Sequence, residues 1–313
     1  MAPRKTTKIT EIVSPRTTRI CAVANNKGGV GKTTTAFNLA GSLVLYGKKV
    51  LVIDLDPQCN ASIAFNVIVD SGAPGVRHLL TEGKFNFTQC LYPRGPQCDF
   101  VPADPDLTKL QSELSLDVKG RFRLRDHLQG IVGNYDFVLL DCPPDLGILT
   151  LSALIAATEV IIPVDIGFLG IVGLARMSSF INDVRETYNP ALKVVGVLVT
   201  KYDARTTLSE NAIAQIRSEK LPLFDTRIRI CVDIIRSQIA RWPVSLYAEN
   251  SNGAVDYNSL AEELLASLHT YADPEIEAAW DEEIRRRVDE CERGVAKLIP
   301  AEEVFAEARR LVR

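Results

Sequence analysis

The eight residues Lys27-Gly28-Gly29-Val30-Gly31-Lys32-Thr33-Thr34 constrain this chain more than any other stretch. Before them Ile20 to Ala24 is short and apolar, as a buried parallel strand is. After them Phe37, Leu39, Ala40, Leu43 and Val44 mark the apolar face of a helix expected over Thr33–Tyr46, with Gly47 as its stop. A glycine loop between strand and helix is a phosphate cradle. Small residues let backbone N–H groups approach anionic oxygens, and the helix N-terminus adds positive potential. On this pattern Gly28, Gly29, Val30, Gly31, Lys32, Thr33 and Thr34 surround a phosphate chain; Lys32 reaches its β and γ groups, and the Thr33 hydroxyl ligates Mg²⁺. The loop departs from the simple pattern twice: Asn26 stands where glycine is usual, and an additional lysine, Lys27, comes early.

Further apolar runs follow at Val50–Ile53, Phe137–Leu140, Glu159–Val164 and Val194–Val199, separated by helical stretches. Buried strands alternating with helices predict an α/β fold: a doubly wound, mostly parallel sheet with helices on both faces, of the P-loop NTPase type. Such sheets bind ligands at the carboxyl ends of their strands, where Asp54, Asp141 and Thr200 fall. Asp141 ends an apolar strand in the manner of a Walker B aspartate and is expected to hold Mg²⁺ through water. Asp54 and Asp56, two residues apart at another strand end, are expected to bind metal-bound water or orient an attacking one.

Four motifs in order resemble the ParA/MinD family of deviant Walker A ATPases, and ParA/Soj partition ATPases most. They are Lys27–Thr34; Asp54-Leu55-Asp56-Pro57-Gln58-Cys59-Asn60 (switch I); Leu139-Leu140-Asp141-Cys142-Pro143-Pro144 (Walker B and switch II); and Thr200–Ser209 with the later Ser251–Tyr257 and Leu260–Leu264. The resemblance covers residues 19–270. It implies a slow ATP hydrolase that forms a nucleotide-sandwich homodimer with ATP and Mg²⁺. Lys27 would reach the partner's phosphates in trans, Lys32 and the loop would hold the phosphates, and Thr33 would bind Mg²⁺. Asp56 would position the water and join the metal site, Asp54 would support it, and Asp141 would hold the metal shell. It also implies non-specific binding of double-stranded DNA and a ParB-like or other cargo adaptor that stimulates hydrolysis, in the cytoplasm on the nucleoid. Cys59 replaces the family's usual glycine, and Asp145 stands where a small residue is common.

Thirty-six Lys+Arg against thirty-nine Asp+Glu exclude a generally basic nucleic-acid coat protein. A local basic face is still expected between Lys201 and Arg241, where eight bases oppose five acids. Its DNA-contact candidates are Arg205, Arg217, Lys220, Arg227, Arg229, Arg236 and Arg241. Seven scattered cysteines without a CxxC pair read as free thiols of a reducing compartment, which also argues against a metal-cluster carrier. Residues 1–19 read as a basic flexible tail, 20–272 as the ATPase domain, and 273–313 as a helical C-terminal extension of twelve acids and eight bases. The last of these, Glu302–Arg313, balances its charges and reads as ordinary helix packing rather than a membrane anchor. The alternatives kept open are the same ATPase cycle positioning another cargo, such as a protein organelle or cluster, and a MinD-like membrane-associated division-site regulator.

Overall fold

The structure, a computed structural model, describes residues 18–267 except 82, 167, 204, 206–212, 215 and 218–220. The expected tail up to residue 17, Lys220 and the expected extension 273–313 lie outside the described residues. A compact unit ends at Leu264.

Eight strands form one sheet in the order β3-β4-β2-β5-β1-β6-β7-β8. They are β1 (Arg19–Val23), β2 (Val50–Asp54), β3 (Tyr92–Gly95), β4 (Cys98–Val101), β5 (Phe137–Asp141), β6 (Glu159–Asp165), β7 (Lys193–Tyr202) and β8 (Leu223–Arg229). Every adjacent pair is parallel except β3 with β4, so the expected mostly parallel, doubly wound sheet is what forms. The central strands β1, β2 and β5 are buried at every residue because helices cover both faces. On one face Ile20, Ala22, Leu51, Ile53, Val138 and Leu140 enter the main core. On the other side of the fold Phe65 stacks on Phe100 at 4.5 Å and meets the edge of Phe37 at 4.9 Å between ring centres.

Helices of the described residues that matter to the site are α1 (Lys32–Leu45), α2 (Asn60–Ala64), α6 (Ile148–Ala156), α7 (Phe168–Thr187), α8 (Val232–Ala240), α9 (Val244–Tyr247) and α10 (Asn252–Ala266). Between α2 and α6 lie α3 (Val76–Thr81), α4 (Leu107–Leu116) and α5 (Arg123–Gln129). The chain leaves β1 toward β2 on one side of the sheet and later leaves β5 toward β6 on the other. The reversal at β1 opens a crevice at the strands' carboxyl ends.

One boundary differs from expectation. Arg19, placed in the flexible tail by its charge, begins β1 and is 6% exposed. Its Nε donates to both Glu159 oxygens at 3.0 and 2.8 Å, and its Nη1 donates to the Leu264 carbonyl at 2.5 Å. The carboxylate and the helix-end carbonyl make burial of the guanidinium possible. Thr18 is tied down as well, its hydroxyl donating to the Tyr135 carbonyl at 2.7 Å.

Candidate functional site

The glycine loop runs from the end of β1 into α1, as its sequence predicts. Gly29 and Gly31 have φ of 73° and 91°, the left-handed region where a β-carbon is strained. Val30 is buried, and its carbonyl accepts the Thr200 hydroxyl at 2.8 Å, which ties the loop to the end of β7. Lys32 is buried and its Nζ donates to the Lys27 carbonyl at 2.9 Å, back across the loop. Burial pulls the Lys32 ammonium below its ordinary value, while Asp141 beside it works the other way. Thr33 and Thr34 occupy the first turn of α1 and, with Gly28, Gly29, Gly31 and Lys32, line a cleft of about 550 Å³.

Three carboxylates lie at the ends of the strands beside that cleft. Asp54 and Asp141 are register partners on β2 and β5, and both are fully buried. Asp54 is saturated by the protein. It accepts the Asp56 N–H at 3.0 Å on one oxygen, and the Ser62 N–H and hydroxyl at 2.8 and 2.7 Å on the other. It therefore fixes the turn that presents Asp56 and the start of α2. Asp56 is 6% exposed, lines the cleft and accepts the Gln58 N–H at 2.9 Å. Neither oxygen of Asp141 has a partner of good hydrogen-bond geometry, although the Thr33 hydroxyl beside it works against the upward push of burial. Burial pushes all three carboxyls up, Asp54 to about 6.

A buried carboxylate with lone pairs the protein leaves open, beside a threonine hydroxyl and a phosphate loop, suits a hard cation with oxygen ligands and retained waters. The residues present therefore fit Mg²⁺: Thr33 and Asp141 would hold it, with Asp56 close by. Among the described residues no cluster of three or more His, Cys, Asp or Glu side chains makes an all-protein metal cage, so the nucleotide's own oxygens would complete the shell.

The two departures fall at turns that lead into helices. Cys59 adopts φ 55° and precedes α2, so it occupies a left-handed position that glycine fills without strain. Asp145 accepts the Gly147 N–H at 2.7 Å and closes the turn before α6.

Lys27 does not line the cleft. Its ammonium is 2.8 Å from both oxygens of Asp165 at the end of β6. Asn25 braces this turn: its side chain donates to the Pro163 carbonyl at 2.7 Å and accepts the Lys27 N–H at 3.1 Å. Sequence reasoning missed Asp165, although it ends a buried strand as Asp54 and Asp141 do, and that position was the available signal.

The basic candidates do not form one uniform patch. Arg205 is exposed and paired with Asp203, and Arg217 is exposed. Arg227 lies over the Tyr202 ring at 4.9 Å. Arg229 is clamped on Asp256 of α10, with Nε at 3.0 Å and Nη2 at 2.6 Å from Oδ1. Arg236 faces Asp233 one turn away at 3.3 Å, and Arg241 bonds the Asn66 side chain.

The AAA domain family profile matches residues 18–194. The Soj chromosome-partitioning ATPase of Thermus thermophilus is 40% identical over 256 residues, spanning 79% of this chain and 96% of its own. The chain belongs to the ParA/MinD family of ATPases. The Myxococcus xanthus chromosome partitioning protein ParA is 35% identical over 79% of this chain and 88% of its own. Among solved structures, a Mycobacterium smegmatis protein described as cobyrinic acid a,c-diamide synthase, with bound ADP and magnesium, superposes with a TM-score of 0.69. It is 32% identical and covers 79% of this chain and 94% of its own. A second profile, described as a putative addiction module component, matches residues 258–304 of this ParA-family chain. Among the described residues no helix is long and apolar enough to cross a membrane.

Proposed function

We propose that this chain is an ATP-dependent partition ATPase. Two copies close over ATP and Mg²⁺, the closed dimer binds double-stranded DNA without sequence preference, and an adaptor of the ParB type stimulates slow hydrolysis. The protein would act in the cytoplasm, on the nucleoid. The observation that carries this reading is the buried Asp141 carboxylate, with lone pairs the protein leaves open, beside Thr33, Lys32 and the glycine loop.

In this mechanism the loop N–H groups and Lys32 hold the β and γ phosphates. Thr33 and Asp141 hold Mg²⁺, which when bound neutralises charge on the phosphate oxygens. Asp56, held by the Gln58 N–H, orients the attacking water, and Asp54 keeps Asp56 in place through its backbone. Lys27 leaves Asp165 and supplies a positive charge to the partner's phosphates. Binding only in the ATP state makes the dimer a switch, because paired weak phosphate contacts gain by acting together. Titration of random duplex DNA without nucleotide, with ADP, and with ATP plus Mg²⁺ tests the reading. Binding is expected only with ATP and weakens steeply with salt. Binding to lipid vesicles in place of DNA would instead support the MinD-like alternative.

A second reading concerns the C-terminal residues. The match over residues 258–304 supports an antidote segment, one that neutralises a protein toxin, carried on the same chain as the ATPase. Removing residues 268–313 is then expected to leave nucleotide binding intact and to abolish rescue of cells expressing an addiction-module toxin that the full chain neutralises. Rescue by the truncated chain would refute it.

A further inference from the structure

A second cavity, of about 470 Å³, shares three helices with the nucleotide cleft but none of its lining residues. Helix α1 gives Thr34 to the cleft and Phe37 to the cavity. Helix α2 gives Asn60 to the cleft, and Phe65 just past its end lines the cavity. Helix α8 gives Gln238 to the cleft and Ala240 to the cavity. The remaining wall is the edge of the sheet, where Arg94 stands on β3.

The floor of this cavity is apolar and built by close packing. Phe37 and Phe65 are buried, and Pro243 lies so near α1 that a β-carbon at Gly41 would come within 2.2 Å of it. The apolar surface continues past the mouth, because Trp242 and Leu246 line the cavity and are also exposed. Two arginines, Arg94 and Arg241, line it and no acidic residue does. Arg94 is exposed and has no ion pair among the described residues, and Arg241 bonds the neutral Asn66 side chain. Asn66 and Arg241 both hold left-handed backbone, at φ 55° and 61°, and their bond ties the segment after α2 to the end of α8.

We propose that this cavity docks the adaptor: it takes one large apolar side chain from an acidic segment of that partner, whose carboxylates meet Arg94 and Arg241. The apolar floor gives the anchor a place to leave water, and the two unopposed cations select the charge beside it. Exposed tryptophan and arginine around a pocket are the residue types on which binding energy concentrates. The chemistry of the segment rests on the cavity alone; that its owner is the adaptor rests on the partition reading. Asn60 and Phe65 lie at the two ends of one short helix, in the cleft and in the cavity. An anchor against Phe65 therefore favours one position of switch I over another, and through that difference in affinity it changes ATP turnover.

The test titrates the full chain, without nucleotide, into three short dye-labelled peptides read by fluorescence anisotropy. One has a phenylalanine between glutamates, one has alanine in place of the phenylalanine, and one has lysines in place of the glutamates. Saturable binding is expected for the first alone. Ala240→Phe fills the cavity from an exposed helix end and is expected to weaken that peptide about tenfold; Arg94→Glu reverses one charge and is expected to weaken it about fivefold. Both variants are expected to melt as wild type does and to bind Mg–ADP unchanged. Equal binding of the three peptides, or binding of the first unaltered in both variants, overturns the assignment. So does a loss of duplex DNA binding in Arg94→Glu with peptide binding intact, which would give this face to DNA. Peptide binding that leaves ATP turnover unchanged overturns the adaptor's part. A chain that binds the peptide but no ATP overturns the ATP reading and leaves the docking site standing.

Discussion

Lys27 and Asp165 hold each other in the single subunit: the lysine Nζ is 2.8 Å from both carboxylate oxygens. The lysine that the dimer mechanism sends across to the partner's phosphates is therefore already occupied. In the proposed mechanism, closing two subunits would break this pair, and its strength would oppose closure. The two side chains are 27% and 19% exposed, so the pair contributes on the order of 1 kcal/mol rather than the several of a fully buried one. Asp165→Asn keeps the shape and drops the charge. It is expected to tighten ATP-dependent dimerisation several-fold by sedimentation, and Lys27→Ala to bind ATP while losing hydrolysis. Equal dimerisation by Asp165→Asn and wild type would show that the pair does not restrain closure.

Asp54 gives a pH prediction. Burial raises its carboxyl from 3.8 to about 6. Below pH 3.8 the group is neutral both folded and unfolded, and it costs the fold nothing. Above pH 6 it is charged in both, and the buried charge opposes folding. Its contribution to stability therefore falls as pH rises from about 4 to 6, by roughly 3 kcal/mol for a shift of two units. Asn at this position stays neutral but loses one of the bonds to Ser62. Urea unfolding with chelator present should show a constant offset between Asp54→Asn and wild type from the lost bond. Superimposed on it, the variant gains on wild type as pH rises through that window. Parallel curves would place the charge penalty elsewhere.

Much of this was legible because the informative groups sit at the ends of apolar strands. Val50–Ile53 and Phe137–Leu140 could only be interior strands, and parallel strands bring Asp54 and Asp141 into register at one edge. The glycine loop announced itself by composition. Arg19 was misread because a charge next to charged residues looks solvated; its partner Glu159 lies 140 residues away. The residue types alone do not separate the switch I aspartates; the resemblance implies Asp56 on the water with Asp54 in support. Only the Ser62 contacts show that Asp54 organises backbone while Asp56 faces the cleft.

The basic region divides by the same kind of evidence. Arg229 is committed to Asp256, whose side chain is 8% exposed, so the pair joins β8 to α10. Arg229→Ala leaves the nearly buried Asp256 carboxylate the backbone N–H of residue 229, and with the lost guanidinium 38% exposed it is expected to cost about 1.5 kcal/mol in urea unfolding. Arg205 and Arg217 are exposed, and each is expected, when changed to Ala, to leave stability within about 0.5 kcal/mol. In the ATP state each is also expected to lower the salt slope of DNA binding by about one. A salt slope unaltered in both variants would remove this surface from the DNA site.

Asp56 and Lys32 separate binding from chemistry. Lys32 is buried against the loop and lies near Asp56, Asp141 and Asp145, a set of negative groups that it alone offsets among these residues. Lys32→Ala both removes a phosphate ligand and leaves those carboxylates facing the nucleotide's charge, so ATP binding is expected to fall at least a hundredfold. Asp56 accepts one N–H and otherwise faces the cleft, so its loss leaves the phosphate cradle whole. Asp56→Ala is expected to bind ATP as wild type does, to hydrolyse it at least a hundredfold more slowly, and to accumulate as the closed dimer. ATP turnover at the wild-type rate in Asp56→Ala would assign the water to another group.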